Sequence, residues 1–174
     1  MDRKEVSKML EDEFRRAKRN SIMYKGKTVY LYDTIFLPER TRLTLRFNKV
    51  KSKWCQGVCL CDMPYTSTKT RFTVEGETGS SVQLWAHTSP KVVEIDIYAP
   101  NGKINVYNTW DIGNGQCRSQ LEGAGMLIEV SEDGKKRYYR CNDGHPRTTF
   151  KHLEFSIEIV PPENAGKNRK IGTG

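Results

Sequence analysis

The segment 140–147 reads R-C-N-D-G-H-P-R. It holds a thiol (Cys141), a carboxyl (Asp143) and an imidazole (His145), the types that serve as nucleophile, orienting acid and base in a small hydrolase. Triads are normally assembled from distant segments, because neighbours on one loop rarely reach the required mutual geometry. Asp143-Gly144 is also an ordinary turn pair, and Pro146 ends it. A turn is therefore the expectation and catalysis the alternative.

A second set combines sulfur and imidazole. Cysteines occur as C-x3-C-x-C over 55–61, and two more are Cys117 and Cys141. Cys59 and Cys61 project from one face of a strand, since side-chain direction repeats every two residues. With Cys141 and His145 they would make a Cys3His zinc site. Neither half has the C-x2-C knuckle, and free cysteines acting as small hydrophobes account for the same residues. No cofactor is expected, with zinc the alternative. Asp62, Asp111 and Asp143 are the carboxylates a calcium site could use, but no D-x-D-x-D cluster supports one. Trp54, Trp85 and Trp110 could stack on a sugar; Trp85 and Trp110 are expected instead to fill the core or cover a sheet face.

The third set is cationic. Over Met1–Lys53 there are 15 Lys and Arg against 7 Asp and Glu, whereas Trp54–Gly174 carries 14 of each. The formal charge of +8 thus lies wholly in the first third. Such a bias suits an anionic partner. The expected contact residues are Arg15 and Arg19 at a helix end, Arg42 and Arg46 on one strand face, and Lys49, Lys51, Lys53 and Trp54 beyond it. Solvated surface charge and helix-dipole compensation explain part of the same excess. No RNP pattern, zinc-finger spacing or helix-turn-helix cue is present, so an acidic protein is the expected partner and nucleic acid the second.

These residues need elements to position them. Residues 2–20 are predicted to form an amphipathic helix with Val6, Met9, Leu10, Phe14 and Ala17 on one stripe. Beyond Tyr24 the period becomes two. Strands are predicted at 28–32, 42–50, 82–87, 93–98, 104–110 and 152–160. Asn101-Gly102 predicts a hairpin joining 93–98 to 104–110. Ser131–Gly134 predicts a second, within 127–141. In the last strand Leu153, Phe155, Ile157 and Ile159 should face inward, and His152, Glu154, Ser156 and Glu158 outward. The glycine-rich run 111–126 lacks G-x-G-x-x-G between strand and helix, so it reads as a connection rather than a phosphate cradle.

The expected fold is mainly β: an antiparallel β-sandwich, jelly-roll or C2-like, of about 8–10 strands with one N-terminal helix. It occupies residues 1–162 as one domain, followed by a flexible tail over 163–174. No stretch approaches the roughly 18 apolar residues of a membrane span, and no signal-peptide core opens the chain. An odd cysteine count points to a reducing compartment, hence the cytoplasm. The function expected is a non-enzymatic intracellular binding module with a basic N-terminal face. A small hydrolase or metal-dependent enzyme at the Cys141–His145 loop is the alternative.

Overall fold

The structure, a computed structural model, describes residues 3–62 and 69–160, the side chains of residues 3–9 excepted. The expected tail lies outside the described residues, as do the side chains of Val6 and Met9. Helix α1 spans Arg3–Ala17. Lys18 then takes a left-handed backbone at φ 51° and donates its N–H to the Phe14 carbonyl, ending the helix before Asn20. Leu10 and Phe14 are buried against Val29, Leu31, Leu127 and Phe150. Leu10 and Phe14 of the apolar stripe are thus satisfied within the chain, whereas Ala17 is exposed; burying one large apolar side chain is worth roughly 1.5–3 kcal/mol.

The strands are β1 (Ser21–Tyr24), β2 (Lys27–Tyr30), β3 (Asp33–Phe36), β4 (Arg40–Val50), β5 (Cys55–Cys61), β6 (Arg71–Val74) and β7 (Glu77–Gly79). They continue as β8 (Ser81–Trp85), β9 (Val92–Tyr98), β10 (Lys103–Asp111), β11 (Cys117–Ser119), β12 (Gly125–Val130), β13 (Lys136–Asn142) and β14 (Leu153–Val160). They form two antiparallel sheets. The larger runs β1-β2-β12-β13-β14-β4-β9-β6-β7 and the smaller β11-β10-β5-β8, with β3 also paired to β10. The mainly β, two-sheet expectation holds, with fourteen strands among the described residues rather than eight to ten. Several strands have only three or four residues, too short to show an alternation in sequence.

Between the sheets, Leu43, Leu45, Ile95, Phe155 and Ile157 of the larger meet Val58, Leu60, Ile104 and Val106 of the smaller. The hairpin of β12 and β13 forms as expected, closed by a Gly134 N–H to Ser131 carbonyl bond of 2.9 Å. The Asn101-Gly102 turn also forms, with Gly102 at φ 71° and its N–H on the Ala99 carbonyl. It does not make a hairpin. Both edges of β9 are occupied, by β4 and β6, so the chain arches across to the smaller sheet and β10 pairs with β5. A tight turn serves either path; competition for the strand edge decides.

The last strand also departs from its predicted faces. Leu153, Phe155 and Ile157 are buried as expected, but so are His152 and Ser156. Ser156 is a small side chain between Tyr138 and Arg46 on the flanking strands. His152 belongs to the site described next.

Candidate functional site

Strands β13, β14 and β4 lie side by side, and two connections emerge at one end of them. Residues 51–54 lead from β4 to β5; residues 143–152 lead from β13 to β14. The Lys51 N–H donates to the His152 carbonyl at 3.0 Å, tying the connections together. Asp143 sits at their root with no exposure. A carboxylate so placed needs donors. Ser52 Oγ donates to its Oδ2 at 2.7 Å, Gln56 Nε2 to the same oxygen at 2.9 Å, and the His145 N–H to Oδ1 at 2.9 Å. Ser52 Oγ in turn accepts the Trp54 N–H.

Two imidazoles border this carboxylate. His152 Nδ1 accepts the Asp143 N–H at 3.1 Å and lies 3.1 Å from Asp143 Oδ1. Burial pushes the His152 pKa down; the Asp143 charge opposes this and His145 adds to it. His152 Nδ1 therefore stands between a backbone N–H donor and a carboxylate oxygen. His145, when neutral, carries its proton on Nε2, because its Nδ1 accepts the Arg147 N–H at 3.1 Å. The two rings are 5.7 Å apart between centroids, and Trp54 packs 5.9 Å from His145. Gly144 lets the chain pass tightly between Glu122 and Trp110 just before His145: a Cβ there would lie 2.8 Å from the Glu122 carbonyl oxygen and 2.9 Å from the Trp110 ring.

In front of the imidazoles opens a cavity of about 660 Å³. Its cations are Lys51, Lys53, Arg147 and Lys151; its other polar groups are Ser52, Thr149, His145 and His152. Among the described residues no carboxylate lines it, Asp143 being sealed behind. The Lys53 ammonium stands 5.5 Å from the Trp54 ring centroid, within cation–π range. A wall made of hydrogen-bond donors around a cationic recess suits an anion.

The residues singled out from sequence divide accordingly. Lys51 and Lys53 converge on the cavity, with Trp54 beside it. Arg42 is committed elsewhere: it grips Asp96 through Nε at 2.8 Å and Nη2 at 3.2 Å, with Glu94 at 3.5 Å, and the Asp96 bond raises its pKa. The expected patch of Arg42 with Arg46 is therefore half neutralised, although Arg46 is exposed. Lys49 is exposed beside Glu154 in register. Arg15 pairs with Glu11 and donates to the Leu121 carbonyl, and Arg19 lines a separate groove by the helix end.

The catalytic triad considered for this loop does not assemble. Cys141 is fully buried in the core between the sheets, and burial drives its thiol pKa well up. Asp143 bonds the backbone of His145, not its ring. The zinc set is separated as well: Cys59 and Cys61 lie on β5 of the smaller sheet and Cys141 on β13 of the larger. Among the described residues no three His, Cys, Asp or Glu side chains are grouped to hold a metal. For the calcium candidates, Asp62 is bonded by Thr70 and Asn101, and Asp111 caps the N–H groups of Gly113, Asn114 and Gly115. Trp110 fills the core, and Trp85 lies half-buried against Gly57.

Sequence reasoning missed Ser52, Gln56, Arg147, Lys151 and His152. The polar run 145–152, with a histidine at each end and two cations between them, carried the signal that could have found the last three. Compared with known proteins, the chain matches no family model and no curated protein. No described helix is long and apolar enough to cross a membrane.

Proposed function

We propose that this protein is a non-enzymatic intracellular binding module that engages an acidic macromolecular partner through the cavity formed by residues 51–54 and 145–152. The observation that carries this reading is a recess with four cations, two imidazoles and, among the described residues, no lining carboxylate. Its charge has two sources: the end of the basic N-terminal third, and the locally basic run 147–151. A cytoplasmic setting belongs to the same reading and is supported by five cysteines that form no disulfide. Against the hydrolase alternative, the thiol it would use, Cys141, is both buried and held protonated.

The test is capture from lysate at low and high salt, with and without nuclease. The wild type should recover an acidic partner in a salt-sensitive manner. Lys51→Glu combined with Arg147→Glu should abolish recovery, and Arg15→Glu should leave it unchanged. Equal recovery by the Lys51→Glu/Arg147→Glu variant would refute the assignment of the cavity.

A further inference from the structure

We infer that the cavity takes a phosphodiester of a single-stranded nucleic acid, with the adjoining base stacked on Trp54. This rests on the anion-binding reading above and names its ligand. Three features favour a phosphoryl group over a carboxylate. The donors come from two connections that face one another, so they surround a ligand rather than approach it in one plane. A planar carboxylate suits a single guanidinium fork, whereas a tetrahedral phosphoryl group accepts from several directions at once. His145, when neutral, presents an Nε2–H group, because the Arg147 backbone N–H occupies its Nδ1. The volume, about 660 Å³, is far larger than one carboxylate occupies.

The aromatic neighbour selects a single strand. Trp54 is half-buried, with His145 tilted against it and the Lys53 ammonium over its ring, where a stacking base would displace it. A cationic recess beside an indole is the pairing that tracks a backbone and stacks a base. Bases within a duplex are already stacked and cannot reach such a ring. The buried Asp143 network then has a purpose: it holds Ser52 Oγ and the His145 backbone at fixed positions behind the recess.

The test uses the full chain and three fluorescent probes of closely matched charge in anisotropy titrations: a 24-mer of deoxythymidine, a double-stranded dodecamer, and a polyglutamate peptide of similar total charge. The single strand should bind most tightly. Arg147→Ala/Lys151→Ala should flatten its log K against log salt slope by about 0.7 for each phosphate that is no longer neutralised. Trp54→Leu should weaken it by about 5- to 150-fold, the range that removing one base–aromatic stack gives. Quenching of indole fluorescence in the wild type on binding gives an independent reading if that variant is unstable. Preference for polyglutamate overturns the inference and leaves the anion-binding reading standing. Equal binding of duplex, or unchanged indole emission on binding, overturns the stacking assignment; no binding of any probe overturns both.

Discussion

Asp33 and Asp143 are both buried, and their surroundings differ. Asp33 begins β3 and receives a full cation: Arg137 donates through Nε at 2.7 Å and Nη2 at 2.9 Å, and the Tyr139 hydroxyl adds a third bond at 2.7 Å. Arg137 and Tyr139 come from the larger sheet, Asp33 from β3 on the smaller, so the cluster pins the sheets together. Asp143 receives three neutral donors and borders an imidazole, and the cations near it stand in front of the histidines rather than against the carboxylate. A carboxylate closed by its own counter-ion has nothing left to offer a ligand. One held by neutral donors arranges other groups and leaves the nearby cations for a ligand.

The largest expected effect falls on the closed cluster. Arg137→Ala leaves Asp33 buried without its cation and should cost about 3–5 kcal/mol in chemical denaturation. Asp33→Asn combined with Arg137→Met should recover much of that loss, since it removes both charges. Neither should alter oligonucleotide affinity once the protein is folded. If Arg137→Ala unfolds no more readily than the wild type, the cluster does not join the sheets.

Asp143→Ala should cost less, about 1–3 kcal/mol, because the groups it frees are neutral donors. Unlike the Asp33 substitutions, it should also lower oligonucleotide affinity in the folded protein, by releasing Ser52 and the histidines. Unchanged affinity would erase the distinction between the two aspartates.

The two sites should also respond to opposite ends of the pH scale. His152 has its folded pKa below its ordinary value of 6.5, so the unfolded chain binds the proton more readily. Its contribution is present above that pH and lost as pH falls through about 6.5 and below. Tyr139 is raised well above its ordinary 10, mainly by burial and then by Asp33. Its folded state holds the proton, so its contribution is full below about 10 and is lost as pH climbs beyond that. Denaturation midpoints across pH should show the acid limb flattened in His152→Asn and the alkaline limb flattened in Tyr139→Phe.

The smallest effect concerns the thiols and extends the same contrast between closed and open environments. The Cys59 thiol is drawn down to about 7 by hydrogen bonds from Cys61 and Tyr107, against burial. Cys141 is driven the other way. Iodoacetamide should label Cys59 with a midpoint near pH 7 and leave Cys141 unlabelled in the folded protein, read by peptide mass. Labelling of Cys141 at the Cys59 rate would mean that the core around β13 opens readily.

Much of the fold was legible because period-two alternation is a local property. The strands at 42–50, 93–98 and 152–160 and the turn at 131–134 needed no knowledge of their partners. The short strands β1, β3, β7 and β11 were not legible, since three or four residues cannot establish a period. Of the site, Lys51, Lys53 and Trp54 were visible as a basic run ending in an aromatic. Arg42 was visible too, but its cancellation by Asp96 depends on strand register across 54 positions of sequence. Alternation points His152 outward, yet this residue lies just before β14, where Asp143 and His145 from the β13–β14 connection cover its ring.

By itself, then, the amino-acid order determined that this chain alternates, turns and caps as an antiparallel β protein with a basic N-terminal third, because those features depend on neighbours along the chain. Tertiary structure alone decided that Asn101-Gly102 arches between sheets, that Cys141 is core while Asp143 two residues on is an organising carboxylate, and that residues 51–54 meet residues 145–152. Each is settled by which edge, face or donor remains available once distant strands have paired, and no local pattern records that competition.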